Sequence, residues 1–300
     1  RQMAAFVHPR SEAKTVEDAV YEKRLYKVPY TSETRIIDAE DILKTMPGMI
    51  PHASDEQIVT ALADRQAKAL DVLINRIVRR VEWMCREALW YGQVRCTGEG
   101  VDEGVNFRRS PDHTITLSGA DQWGQDGVDI VGDLEEWVEV LGDAGYGATD
   151  VILGKNAAAA FRNDEKVQKL LKANSGIRTG ELDLTNLPSK VRHLGHILGM
   201  DFWAYVERYT DPETKQVRPL VPENEVLVVD REARRARHYG AILDFKAIRA
   251  EGLAVGEYAV PYFPKVVEIE EPSSHQVIVK SAPLPIPHAV DASVRAVVMS

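Results

Sequence analysis

"HQVIVKSAPLPIPHAVDASVRAVVMS", residues 275–300, closes the chain. Val277, Ile278 and Val279 predict a strand, Pro283, Pro285 and Pro287 break it, and Val290 to Val298 predicts another strand. An apolar strand without a partner is a template for aggregation, so something must cover this one. Its natural partner is an early hairpin. "QVRCTGEG" (93–100) and "HTITLSGADQWG" (113–124) predict two strands joined by a long polar loop, into which Gly98, Gly100 and Gly104 fall. That loop lacks the Lys-Ser/Thr of a phosphate-binding loop. If the last strand pairs there, the first and last thirds of the chain form one layer and the middle is an insertion.

The insertion, residues 126–261, has mixed α/β patterning. "VDIVGDLEEWVEVLGDAGY" predicts a helix, "TDVILG" a short buried strand, and "NAAAAFRNDEKVQKLLKAN" a second helix with Gly176 beyond its end. "FWAYVERYTDPETKQVRPLVPENEVLVVDRE" predicts strand, turn and strand, with Asp211-Pro212 marking the turn. This mixed order favours α+β over a regular βαβ fold.

Before the early hairpin lies a long amphipathic helix. Ser54 and Gln57 fit a capping box, Asp55 and Glu56 favour the first turn, and Gly92 supplies the stop. Between them no Pro or Gly interrupts the chain. Ile58, Leu62, Leu70, Leu73, Ile77, Val81 and Met84 recur at helical spacing, opposite Asp64, Lys68, Asp71, Arg79, Glu82 and Arg86. Such a helix is about 55 Å long, either a long core-flanking helix or a rigid strut. Its imperfect heptads disfavour a free coiled coil. Residues 1–45 are polar and partly alternating, and neither face is clearly apolar, so they predict either a loose terminus or an arm that orders on another subunit.

Composition bounds the chemistry. The chain has 300 residues, 44% hydrophobic and 28% charged, with a net charge of -9. That balance disfavours non-specific nucleic-acid binding. Cys85 falls in a helical pattern and Cys96 in a strand pattern, so no bridge is expected. No apolar run approaches the length of a membrane span, and there is no secretory signal.

No catalytic constellation emerges. There is no nucleophile elbow, Walker loop or zinc-spaced cysteine set. His193 and His196 in "HLGH" can share a helix face, but no third ligand follows at a recognisable spacing. Glu135-Glu136 and Glu270-Glu271 are adjacent pairs whose side chains diverge into solvent. The basic stretch Arg231 to Arg237 predicts a surface helix or loop, or an anion or subunit contact. Trp83, Trp90 and Tyr91 are expected to pack against the early hairpin.

Several segments together carry a resemblance. "SAPLPIPHAVDASVRAVV" (281–298) is similar to the closing strand pair of the lambda-type phage major capsid proteins, the major capsid protein E family. "RPLVPENEVLVVDREARRARHYGAILD" (218–244) resembles that family's proline-containing turn, short strand and Arg-rich stretch ending in Tyr-Gly. "TDVILGKNAAAAFRNDEKVQKLL" (149–171) resembles its strand followed by a helix with a small-residue start. The helix 54–91 resembles its spine helix.

The resemblance implies the Hong Kong ninety-seven capsid fold, an α+β architecture. Residues 1–45 would be an extended loop lying over a neighbouring subunit. Residues 46–120 and 262–300 would form a peripheral domain, and 121–261 an axial domain meeting its copies at five-fold and six-fold centres. The family's usual N-terminal arm has no counterpart ahead of this loop; the chain starts at Arg1, not Met, and is read as beginning inside a longer product. The implied role is structural: a head-shell protein of the virion capsid, assembled in the host cytoplasm as pentamers and hexamers. A scaffolding protein, a portal and a decoration protein are the implied partners, with double-stranded DNA inside in loose contact. An acidic balance suits a shell that does not bind that DNA tightly. No catalytic, cofactor-binding or metal residue, no cofactor and no membrane contact is implied. Lys14, Lys23 and Lys27 lie where some capsids of this fold cross-link, but no cross-link is predicted. Two alternatives remain: an encapsulin-type compartment shell, which shares the fold, and a cytosolic α/β enzyme with a mobile arm.

Overall fold

The computed structural model describes residues 28–38, 40, 54–98, 101–174, 191–244, 259–271 and 273–300. In chain order its strands are β1 (Thr31–Asp38), β2 (Gln93–Gly98), β3 (Val101–Asn106), β4 (Thr114–Thr116), β5 (Asp150–Leu153), β6 (Val191–Ile197), β7 (Met200–Tyr205) and β8 (Arg208–Thr210). They continue with β9 (Val217–Pro219), β10 (Glu225–Val229), β11 (Arg235–Tyr239), β12 (Phe263–Ile269), β13 (Ser274–Ser281), β14 (Pro283–Pro287) and β15 (Ser293–Val297). The α-helices are α1 (Asp55–Tyr91), α2 (Ile130–Asp143), α3 (Lys155–Asn163) and α4 (Glu165–Asn174).

The helix expected over 54–91 is α1, 37 residues long. Ser54 Oγ accepts from the Gln57 N–H, and Gln57 Oε1 accepts from the Ser54 N–H, which closes the capping box. Gly92 ends the helix in the left-handed region at φ 62°. Burial along α1 is graded. From Glu56 to Lys68 no side chain is buried, whereas Ala69, Leu73, Ile77, Val81, Met84, Ala88 and Trp90 all are.

Two layers share this helix. On its middle packs a three-stranded antiparallel sheet in the order β1-β13-β12. Ile37 of β1 and Val277 and Val279 of β13 meet Ala69, Leu73, Ile77 and Val81 in one core. The polar arm expected over 1–45 is therefore in part a paired strand: β1 runs its whole length against β13, from Thr31 opposite Ser281 to Asp38 opposite Ser274. One apolar side chain, Ile37, suffices to anchor it, because its ladder supplies the rest. The alternation from Val20 to Lys27, with Lys14, lies outside the described residues.

The C-terminal end of α1 reaches a six-stranded sheet in the order β4-β15-β10-β5-β7-β6. β5 and β7 run parallel, as do β15 and β4, and the remaining neighbours are antiparallel. One face, carrying Val151, Leu153, Phe202, Val226, Val228, Val294 and Ala296, packs on Leu134, Trp137 and Leu141 of α2, Phe161 of α3 and Val167 of α4. On the other face Trp90 packs with Val221, Leu227 and Val229. β10 is thus buried along its entire length, which explains its unbroken apolar run, Val226–Val229.

This arrangement corrects several expectations. The last strand does pair with the "HTITL" strand, β4, but in parallel, and its main partner is β10, whose five residues face Glu225↔Val297 to Val229↔Ser293. The two early strands do not form one long-looped hairpin. β2 pairs with β3 instead, a segment read as loop, so Gly98 and Gly104 are strand residues. Gly100 lies outside the described residues. The helix expected over 156–174 is two helices. Asp164 is extended (ψ 130°) between them, and its carboxylate caps the next by accepting from the Val167 N–H at 2.8 Å.

The prolines do not break the chain out of sheet structure either. Pro283–Pro287 is β14, paired antiparallel with the Arg-rich β11. Alternate N–H groups of a strand point to opposite edges, so prolines at i, i+2 and i+4 remove donors from one edge only. Leu284 and Ile286, opposite His238 and Ala236, keep theirs. Of the Arg-rich stretch 231–237, residues 231–234 form a turn, as the loop reading expected, and Arg235–Arg237 open β11 rather than a helix.

A close approach fixes the turn after β5. Gly154 donates its N–H to Glu225 O, and a Cβ built on it would lie 2.0 Å from Pro222 O. Gly154→Ala is expected to destabilise the fold by roughly 3 kcal/mol, since both segments are backbone and neither can yield cheaply. A urea melt in which the variant matched the parent would show that the loop moves freely.

Candidate assembly surfaces

The residues nearest to a catalytic or metal motif lie on the edge of the six-stranded sheet. His193 and His196 are in β6, not on a helix. The register shifts between His193 and Gly195, with Gly195 at φ 146°, and this irregularity brings both rings to one carboxylate. His196 Nδ1 is 2.9 Å and His193 Nε2 3.4 Å from Asp201 Oδ1. Burial alone would raise the Asp201 carboxyl, but the contacts from His196 and His193 outweigh it and hold the group below the ordinary carboxylate range. His193 also packs on Trp203, with ring centroids 4.7 Å apart. Among the described residues no group of three or more His, Cys, Asp or Glu side chains is placed to hold a metal ion. The pairs Glu135-Glu136 and Glu270-Glu271 are exposed, as their adjacency predicted.

Charge is concentrated instead where α1 meets the sheet. Arg109 Nη1 donates to Trp90 O at 2.7 Å, and Nη2 donates to Leu89 O and, at 2.7 Å, to Ser293 Oγ of β15. A guanidinium on the last carbonyls of a helix satisfies acceptors that have no partner inside it. Burial pulls its pKa down to about 10, against the Asp291 carboxylate, which raises it; the side chain stays charged at neutral pH. Beside it Arg295 makes a bidentate pair with Glu225, Nε to Oε2 at 2.7 Å and Nη2 to Oε1 at 2.6 Å, and lies 4.6 Å over the Tyr91 ring. The Tyr205 hydroxyl lies 2.6 Å from Glu82 of α1 and 3.0 Å from Glu207, and burial with these two carboxylates pushes it far above a phenol's usual range.

These contacts lock the helix to the sheet. They also relocate the aromatic cluster. Trp90 and Tyr91 pack on the six-stranded sheet, and only Trp83 joins the core with Val94 and Val105 of the β2–β3 ribbon. Neither burial nor register was visible in their spacing; the Gly92 stop, which sets where the helix meets the sheet, was the one signal.

What the molecule offers outward is surface. The core-facing stripe of α1 outruns its sheet, so Ile58 and Val59 are 42% and 64% exposed. Val72 and Val78 are exposed farther along. Ile36 of β1, Val266 of the edge strand β12, Val206 just before β8 and Val217 of β9 are exposed too. Scattered single apolar residues are ordinary, but here they mark a long helix, a sheet edge and a hairpin that all project from the packed body. No helix among the described residues is long and apolar enough to cross a membrane.

A putative capsid protein of a prophage of Escherichia coli CFT073 is similar in structure, with a TM-score of 0.75 at 22% identity, over 91% of this chain and 78% of that one. A solved structure from Mycobacterium phage Patience matches with a TM-score of 0.48 at 9% identity, over 97% and 78%. The holo-SrpI encapsulin complex of Synechococcus elongatus PCC 7942 matches with a TM-score of 0.44 at 12% identity, over 92% of this chain and 76% of that one. No curated protein matches the sequence. The family model described as phage major capsid protein E matches residues 1–298, and the chain therefore belongs to the phage major capsid protein E family.

Proposed function

We propose that this protein assembles into the closed head shell of a tailed double-stranded DNA phage, icosahedral or prolate, built from pentamers and hexamers. The observation that carries the proposal is the family match across residues 1–298. Membership gives the coarser statement directly: a structural capsid protein of the virion that acts as a homo-oligomer. Rings of identical subunits require heterologous contacts that repeat until they close. A scaffolding protein and a portal are the partners such a shell implies, and DNA would sit inside in loose contact. The role is structural, and no catalysis is invoked.

The division into parts follows the two sheets. The three-stranded sheet, the β2–β3 ribbon and most of α1 form the peripheral part; the six-stranded sheet with α2–α4 forms the axial part. The sequence-based division is 46–120 with 262–300 and 121–261; a division by sheets would count β4 and β15 with the axial part, since both lie in the six-stranded sheet. Residues 1–27 would lie over a neighbouring subunit.

Electron microscopy of the full-length protein, expressed with its scaffolding protein, tests the proposal. Closed angular shells are the expected result, and DNA rather than packaged enzyme inside them separates a head from a compartment. Small discrete oligomers alone would overturn it. A second measurement isolates the arm. Deleting residues 1–27 leaves every described strand in place, so the thermal midpoint should stay within a few degrees while shells are lost. Full shells from the truncated chain would remove the arm from assembly.

A further inference from the structure

The exposed side of α1 is divided by charge. At about 100° per residue, Lys68, Val72 and Arg79 fall on one flank, with Arg65 and Arg76 along it and no acidic side chain between. Asp64, Asp71 and Val78 fall on the adjoining flank. All six are exposed. Asp64 and Lys68 are spaced i, i+4, yet among the described residues Asp64, Lys68, Asp71 and Arg79 enter no ion pair. Arg76, by contrast, holds Glu33 of β1 at 3.1 Å. Each flank also carries one exposed valine, Val72 at 46% and Val78 at 41%.

We propose that these two flanks are the complementary halves of a contact between neighbouring copies of this chain, the basic flank of one α1 facing the acidic flank of the next. This rests on the shell reading above. A head-to-tail contact needs two different patches on one subunit, and one helix here carries both, with opposite sign. The valines supply a small apolar centre, and the charges set register and exclude wrong pairings. A contact with DNA would use the basic flank alone and would leave Asp64 and Asp71 without a role.

Three variants of the full-length protein test the proposal by sedimentation and electron microscopy. K68E/R79E cancels the net charge of the basic flank, where Arg65 and Arg76 remain, and D64K/D71K makes both flanks basic. Each should lose the shell peak while its circular dichroism melt stays at the parent's midpoint, because all four side chains are exposed. The four-fold combination exchanges the signs at the four substituted positions, so that these positions are again complementary, and should regain shells. Parent-level shells from either double variant would overturn the contact, and so would a failure of the combination to restore them. Shells from K68E/R79E that retain less DNA would assign the basic flank to nucleic acid instead. Absence of shells from the parent protein would reject the shell reading itself, and this contact with it.

Discussion

Ile77→Asp should leave no folded subunit. Ile77 is 1% exposed in the core where α1 meets β1 and β13. Removing its side chain alone, as Ile77→Ala, forfeits about 2–5 kcal/mol through lost burial and the cavity left behind. Aspartate adds the cost of a carboxylate with no partner, several kcal/mol more. The sum rivals the whole stability of a typical domain, about 5–15 kcal/mol. The measurement is soluble yield with a thermal melt. A matched control lies on the same helix. Val59 precedes Ile77 by 18 residues, five turns at about 3.6 residues each, so the two share one face. Yet Val59 is 64% exposed, and Val59→Asp should change stability by less than about 0.5 kcal/mol. If Val59→Asp folds but fails to form shells, the projecting end of the stripe contacts another subunit. A soluble, cooperatively melting Ile77→Asp protein would show that the sheet does not pack on this face.

The contrast between Val59 and Ile77 also marks what the sequence could reveal. Periodicity identified the helix, its cap at Ser54, its stop at Gly92 and the face bearing Leu73, Ile77 and Val81, because amphipathicity and caps are local signals. It could not show that only the second half of the stripe is covered, since cover comes from strands some two hundred residues away. The same limit explains the errors in the sheets. β15 was recognised as a strand from its apolar run, but parallel pairing with β4 and antiparallel pairing with β10 depend on a register that no local pattern encodes. β14 was missed because prolines count against a strand, and their placement on one edge becomes visible only once β11 is alongside.

The candidate site divides in the same way. The segments 149–171, 218–244 and 281–298 carried the family resemblance. Arg109, which joins helix to sheet, was not singled out, because a lone arginine in a polar stretch has no signature. His193 and His196 had one, but it suggested a helix, and the irregularity before Gly195 does on a strand what i, i+3 spacing does on a helix. A shell subunit needs its rigid body to transmit contacts from one projecting surface to another, so the joint between its two sheets matters as much as the surfaces themselves.

That joint gives the last prediction. Arg109→Ala should cost about 3–5 kcal/mol, since neutral acceptors lose a charged donor at about 1–3 kcal/mol each. Three acceptors lose their donor together: Leu89 O, Trp90 O and Ser293 Oγ. Leu89 O would keep only the Ser293 hydroxyl, at 3.4 Å, and Trp90 O would lose its guanidinium donor at the point where Trp90 packs on Leu227 and Val229. Arg109→Lys keeps the charge but not the fork, since one ammonium cannot span acceptors on two elements as a planar guanidinium does. It should recover less than half of the loss. Hydrogen exchange at Leu89–Tyr91 and at β15 separates the two roles of the residue. Faster exchange at the helix end alone means that Arg109 is only a cap. Faster exchange at both means that it couples the helix to the six-stranded sheet, which is the outcome the geometry predicts. An Arg109→Ala protein as stable as the parent would show that water replaces the guanidinium at no cost and that the joint is held by Trp90 and the Arg295–Glu225 pair.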